Sequence, residues 1–364
     1  MLETLAAWFT ALMIGFLAFT QNAASTIEDA LNRTNTTPED TVSRTEPTPL
    51  PSRYDAHSIP DILLQDPQYQ RAGVIESDPV RRAYTTDPAA ALVNIFCTHT
   101  NNQSVRTTTG SGFFIEPRGV ILTNAHVAQF LLLETLDGYG EIDCLIRTGN
   151  PASDRYRAEL LYLPPSWIQE YAAAIVDERP VGTGERDYAL LYVSESRTSE
   201  PLPAFFPALD FDTSLLPVHI KGSEVTAAGY PAAHLFTEGT LAQLIPRVTS
   251  TSITDLFTFG SNYADVMALS GSVVGEHGSS GGPILNADGT VIGLITTRGD
   301  DARDGMGSLR AITLSYIDRT ISQETGFNLR QSTQGELAFR SHIFQQTLAP
   351  FLTALIAREL QPAR

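Results

Sequence analysis

Apolar positions divide the chain into regimes of different period. Leu5 to Phe19 is nearly unbroken apolar sequence, and with Leu2 and Thr20 it approaches the length of a short membrane span or a signal h-region. Residues 21 to about 88 show no sustained apolar period and are rich in Thr, Pro, Asp and Arg, including Thr36-Thr37-Pro38 and Pro47-Thr48-Pro49-Leu50-Pro51. Closely spaced prolines hold such a stretch partly extended, so it reads as a linker. Asp61-Ile62-Leu63-Leu64 and Val80-Arg81-Arg82-Ala83-Tyr84 are the parts of it that could dock on a domain instead.

From Ala89 the pattern changes to short apolar runs separated by turn residues: Leu92–Cys97, Gly112–Ile115, Val120–Leu122, Cys144–Ile146, Leu160–Leu163 and Ala189–Val193. Six such runs fit a small closed barrel. A helical insertion near Pro165–Val176 places Trp167, Ile168, Tyr171 and Ile175 on one face for packing. Residues 198–222 are proline-containing and irregular, as expected of a crossing between halves. Val225–Ala228, Ile245–Thr251, Leu256–Phe259, Val266–Ala268, Pro283–Leu285, Val291–Thr297 and Ser308–Thr313 then supply seven runs, enough for a second six-stranded barrel. Leu314–Ser322 reads as a short helix. Glu336–Leu360 reads as a longer one whose apolar stripe, broken at Pro350, packs on the domain.

The expected partition is a signal anchor or signal peptide over 1–24, a linker over 25–88, a first barrel over 89–200, a crossing segment over 201–224, a second barrel over 225–320 and a helical extension over 321–364. No Lys or Arg precedes Leu5, and Gln21-Asn22-Ala23-Ala24-Ser25 is a poor cleavage site, which favours an uncleaved anchor over a cleaved signal. The chain is expected to be exported, anchored in a membrane through this segment, or secreted if the segment is removed. A formal net charge of −17 argues against nucleic acid as a partner, since phosphates would be repelled. Cys97 and Cys144 flank the histidine stretch described next. They fit export as a disulfide, the alternative being two buried free thiols. Two cysteines without C-x-x-C spacing and scattered histidines make no metal site, and no cofactor is expected.

Candidate chemistry centres on Gly278-Ser279-Ser280-Gly281-Gly282-Pro283, which sets a hydroxyl on a glycine-rich bend ahead of Ile284-Leu285. Serine is a poor nucleophile alone, so Ser280 needs a base and an orienting carboxylate. Thr123-Asn124-Ala125-His126-Val127 puts an imidazole at the end of the run Val120–Leu122. Asp187 immediately precedes the apolar run Ala189–Val193, where a carboxylate can be half buried and accept the His126 Nδ1 proton. His99, His219, His234, His277 and His342 lack such context. Asp210, Asp212 and Asp265 are rival carboxylates, none of which begins a comparable buried strand.

In the order His, Asp, Ser, these motifs resemble those of the chymotrypsin-like serine proteases, most closely the bacterial Deg-type branch, over roughly residues 90 to 320. Gly110-Ser111-Gly112-Phe113-Phe114-Ile115, Ala228-Gly229-Tyr230-Pro231 and Gly289-Thr290-Val291-Ile292-Gly293-Leu294-Ile295 support the resemblance. It implies an all-β fold of two antiparallel barrels with a peptide-binding cleft between them. It implies serine endopeptidase activity through His126, Asp187 and Ser280, with the N–H groups of Gly278 and Ser280 as an oxyanion hole. It also implies a specificity pocket walled by Ser272–Gly275 and the strand 294–297, in which Val274, Ile295 and Thr296 suggest a modest apolar site, with Glu276 nearer the rim. A silent peptide-binding module and an esterase are the competing functions. Only helical sequence follows residue 314, so no PDZ-like domain is expected there, and the sequence leaves the oligomeric state open.

Overall fold

Aliphatic and β-branched runs bounded by turns close into two antiparallel barrels in the computed structural model. It describes residues 61–74, 84–101, 104–136, 138–176, 183–232, 243–275, 277–298 and 309–360, all within one compact unit, Tyr54–Leu360. The apolar run Leu5–Phe19 and the linker as far as Pro60 lie outside the described residues, as does Glu276. No described helix is long and apolar enough to cross a membrane.

The first barrel comprises β1 (Leu92–Thr100), β2 (Val105–Glu116), β3 (Val120–Thr123), β4 (Glu141–Thr148), β5 (Ser153–Tyr162) and β6 (Ala189–Ser196), closed in the order β1-β2-β3-β6-β5-β4. The second comprises β7 (Glu224–Gly229), β8 (Arg247–Phe257), β9 (Val266–Leu269), β10 (Pro283–Leu285), β11 (Val291–Arg298) and β12 (Leu309–Thr313), closed as β8-β9-β12-β11-β10-β7. Closure pairs the edge strands that an open sheet would expose. Turn chemistry sets the register locally: between β10 and β11 the Asn286 Oδ1 accepts from the N–H of Asp288 and of Thr290, each at 3.0 Å.

Nine helices are described around these barrels: α1 (Ile62–Gln65), α2 (Pro67–Gly73), α3 (Pro88–Ala91), α4 (Ala125–Ala128), α5 (Pro165–Tyr171), α6 (Leu314–Thr325), α7 (Leu329–Ser332), α8 (Leu337–Thr347) and α9 (Ala349–Leu360). Val120, Ile121 and Leu122 are consecutive in β3, as are Leu190 and Leu191 in β6, and all are fully buried. Alternating burial would leave one face of each strand wet. Here both faces are covered, so the sequence reads as unbroken apolar runs. α8 packs on β5 and β6, and Ser341 on α8 donates to the Leu160 carbonyl at 3.0 Å. α6 is capped by the Thr313 hydroxyl, which accepts from Tyr316 N–H. α8 and α9 are separate helices because Pro350, the second residue of α9, has no N–H to give the carbonyl four residues back and its ring crowds that turn.

Three sequence expectations change. Ile245–Thr251 and Leu256–Phe259 belong to one bent strand, β8, whose first half pairs with β7 and whose second half pairs with β9 across a register shift at Ile253/Asp255. Buried Ile253 carries the strand through what looks like a polar gap. The expected boundary at 320/321 falls inside α6. The expected linker gives way over part of its length to the alternative of docking, α1 and α2 packing on the domain with Leu63 and Tyr69 each 1% exposed.

That docking answers a buried charge. Arg340 on α8 is fully buried, and its Nη1 donates to the carbonyls of Gln331, Ser332 and Gln334, each at 3.1 Å. Its Nη2 reaches the Tyr69 hydroxyl at 3.0 Å, and the guanidinium lies over the Tyr69 and Phe327 rings. Tyr69→Ala is therefore expected to cost about 3–5 kcal/mol for the lost aromatic packing alone, with a further penalty for a buried cation that loses a partner. Urea unfolding of the otherwise intact chain measures it, and a loss under about 1 kcal/mol would mean that α2 is not part of the cooperative domain.

Cys97 on β1 and Cys144 on β4 face each other in register and form a disulfide, S–S 2.06 Å. Closing a loop of 47 residues stabilises the first barrel by about 4 kcal/mol in the chain-entropy account.

Candidate active site

β3 ends at Thr123, and Asn124 leads into α4, which carries His126 at its second residue. Asp187 lies just ahead of β6, paired to β3 through Thr123 and Ala189, so the two chain segments emerge side by side. Asp187 is 4% exposed. Its Oδ1 accepts from the His126 backbone N–H at 2.9 Å and its Oδ2 lies 2.7 Å from His126 Nδ1. Asn124 Nδ2 donates to the Asp187 carbonyl at 2.8 Å, which fixes the backbone behind the carboxylate. An ionised carboxylate only accepts, so Nδ1 carries the proton and Nε2 is left for chemistry. Burial opposes charging of the ring, but the Asp187 charge and hydrogen bond outweigh it and hold the His126 pKa above the ordinary histidine value. The imidazole remains 38% exposed and can meet a substrate.

Ser280 sits on the turn between β9 and β10. Each carbonyl of this turn is tied down: His277 O accepts from Ala232 N–H (2.7 Å), Gly278 O from Ser111 Oγ (2.7 Å), Ser279 O from Gly282 N–H (3.0 Å) and Ser280 O from Ser111 N–H (2.7 Å). A planar trans peptide points its N–H opposite to its carbonyl. With the His277 and Ser279 carbonyls turned into the protein, the N–H groups of Gly278 and Ser280 face the other way, and neither donates to a described group. Gly278 has φ +94°, and a Cβ there would lie 2.6 Å from both the Ala232 Cβ and the Tyr230 carbonyl.

The turn abuts the first barrel. A Cβ at Gly281 would lie 2.0 Å from the Ser111 carbonyl and 2.6 Å from Thr123 Oγ1, three residues before His126. β11 closes the other side: Thr296 Oγ1 would be 3.0 Å from a Cβ at Gly184, whose carbonyl accepts from Asp187 N–H at 3.2 Å. Imidazole, carboxylate and hydroxyl are thus gathered where the barrels meet. The Ser280 hydroxyl itself donates to the Thr296 carbonyl at 3.3 Å rather than to His126. Catalytic hydrogen bonds of this kind often form only once substrate is bound.

Residues that the sequence reading missed support this arrangement. Arg186 has φ +54°, a left-handed backbone that non-glycine residues seldom adopt, and it turns the chain so that Asp187 faces His126. Its N–H donates to the Tyr316 hydroxyl at 3.2 Å and its Nε lies 3.7 Å from Glu324 Oε1, both partners being on α6. Glu324 also accepts from the Tyr162 hydroxyl and from Ser166 Oγ. Helix α6 therefore braces the carboxylate loop. No local sequence pattern reveals this, because the partners are more than 120 residues apart.

Other expectations need correcting. Val274 and Ile295, 0% and 2% exposed, pack in the apolar core of the second barrel with Val225, Ile253 and Met267, and so do not line an open pocket. Their runs supply the barrel interior. Thr296 is 3% exposed, its hydroxyl directed to the Arg310 carbonyl at 3.3 Å. Asp265 does precede a buried strand, β9, and is itself fully buried. Its carboxylate is occupied by Thr258, Ser261, Phe259 N–H and Arg319, which makes it a structural anchor. Among the described residues no three His, Cys, Asp or Glu side chains gather as a metal site.

A family model for the trypsin-like peptidase domain matches residues 110–294, just over half of the chain and inclusive of all three residues discussed. Serine protease HTRA2, mitochondrial, of Bos taurus is 28% identical over 214 residues, 58% of this chain and 37% of that protein. Serine protease HTRA3 of Rattus norvegicus is 27% identical over 212 residues, 58% of this chain and 38% of its own length. This chain thus spans well under half of these relatives. The crystal structure of the active form of the Rv3671c protease from M. tuberculosis aligns with 79% of this chain and 93% of that one at 18% identity and a TM-score of 0.38. From the matched family model and the two barrels that carry its motifs, the chain belongs to the trypsin-like peptidase domain family.

Proposed function

We propose that the chain is an endopeptidase that hydrolyses peptide bonds by acyl transfer through Ser280, His126 and Asp187. The observation that carries this is the doubly bonded Asp187–His126 pair beside a serine turn whose carbonyls from His277 to Ser280 are all tied away and whose Gly278 and Ser280 N–H groups donate to no described group. His126 Nε2 takes the Ser280 proton as Oγ attacks the carbonyl carbon, then delivers it to the leaving amine as the C–N bond breaks. Water repeats the sequence on the acyl-enzyme and releases the acid. Asp187 keeps the proton on Nδ1 and stabilises the imidazolium. The oxyanion is held by Gly278 and Ser280 N–H, one such donor being worth about 3 kcal/mol in the transition state.

Labelling the purified chain with a fluorophosphonate and mapping the adduct by mass spectrometry tests the reading: the adduct belongs on Ser280, and its absence, or an adduct on Ser279, would sink it. The same test separates it from a silent peptide-binding module, which the Ser280–Thr296 bond would favour. Gly278→Ala is expected to lower kcat by about 10²–10³-fold while leaving the His126–Asp187 pair in place, because the new Cβ forces the donor out of line. Unchanged kcat in a variant whose circular dichroism matches the wild type would remove Gly278 from the oxyanion hole.

We propose further that the chain acts outside the cytoplasm. The Cys97–Cys144 disulfide persists in an oxidising compartment, and the run Leu5–Phe19 suits an anchor or signal that places the protease outside the cytoplasm.

A further inference from the structure

Gly110-Ser111-Gly112 on β2 belongs to the motif set but holds no part of the chemistry above. Ser111 is nevertheless fully buried, and every polar group it has is used at the junction of the barrels. Its N–H donates to Ser280 O at 2.7 Å and its carbonyl accepts from Thr123 Oγ1 at 2.7 Å. Its hydroxyl donates to Gly278 O at 2.7 Å and accepts from Tyr230 N–H at 2.8 Å. Three of the four turn carbonyls are held by backbone N–H groups, which nearly any residue could supply. The carbonyl of Gly278 alone depends on a side chain. Gly278 is also the residue least able to resist rotation, having no Cβ and a left-handed φ. Ser279, which lies in sequence between the two carbonyls that Ser111 holds, has a buried Oγ with no partner among the described residues, so its hydroxyl holds neither of them.

We propose that Ser111 is a positioning residue, its hydroxyl locking from the first barrel the Gly278–Ser279 peptide that joins the two donor peptides, so that the Gly278 and Ser280 N–H groups stay aimed at the cleft. The inference rests on the endopeptidase reading. An oxyanion exists only after attack, so loss of the lock falls on kcat and spares KM.

The test uses the full chain with Ser111→Ala and the equal-volume pair Ser111→Thr and Ser111→Val, the last two differing by the hydroxyl. Ser111→Ala is expected to lower kcat about 10–100-fold, less than deletion of a donor, with KM within about threefold and inhibition by a peptide boronate weakened in parallel with kcat. Ser111→Thr should exceed Ser111→Val in kcat by about tenfold or more. If Ser111→Ala does not give a cooperative thermal transition, the Thr and Val pair decides. Equal kcat in that pair, a change in KM alone, or a Ser111→Ala kcat within twofold of the parent overturns the proposal and leaves the endopeptidase reading intact. A wild-type chain that is inactive and takes no fluorophosphonate at Ser280 overturns both.

Discussion

Ser280→Ala is expected to reduce kcat for a peptide substrate by about 10⁶-fold, leaving only the rate that binding and the oxyanion donors provide without a nucleophile. The mutation removes a single oxygen whose hydrogen bond goes to the Thr296 carbonyl, so folding and KM should change little. Ser279 cannot substitute, being 1% exposed with its hydroxyl enclosed. Steady-state kinetics with a fluorogenic peptide measures the effect, and residual activity within tenfold of the wild type would assign the chemistry to another residue.

Asp187→Asn should cost about 10⁴-fold in kcat with the fold intact. The reason can be followed atom by atom. Oδ1 accepts from the His126 backbone N–H, so the amide that replaces the carboxylate keeps its oxygen there and turns its NH₂ toward Nδ1. A donor at that position demands a lone pair on Nδ1, which moves the ring proton to Nε2, the nitrogen that has to accept from serine. The pH profile carries a second signature. The base works only when neutral, so in the wild type kcat/KM rises with pH through a His126 pKa held above the ordinary histidine value. Asp187→Asn removes the charge and the acceptor that raise this pKa and leaves the burial that lowers it. The acidic limb should therefore move to lower pH. An unmoved limb, or a kcat within tenfold, would show that Asp187 does not act through the imidazole.

Much of the site is legible along the chain because it depends on local context. His126 and Asp187 sit at the ends of apolar runs, and Ser280 sits on a glycine bend, so strand ends and turns were marked by residue type. Six runs in the first half and seven in the second anticipate the two barrels, the surplus arising because β8 reads as two strands: Ser252, Thr254 and Asp255 conceal the continuity that Ile253 maintains. The pocket walls were misplaced for a related reason. Val274 and Ile295 are apolar in a region that could face either way, and the barrel core took both.

The amino-acid sequence by itself determines the apolar runs from which the barrels are built, the turns that separate them, and which side chains can act as nucleophile, base and carboxylate, since these follow from period, turn chemistry and functional-group type. It does not determine that α1 and α2 close over Arg340, that α6 braces Arg186 and through it Asp187, or that Ser111 holds the serine turn. Those contacts join residues far apart in the chain, such as Tyr69 with Arg340 and Ser111 with Gly278, separated by 271 and 167 positions. No local pattern encodes such pairings. They exist only once two barrels have closed and their surfaces have met, when each buried polar group must find a partner among whatever the fold has brought within 3 Å or so.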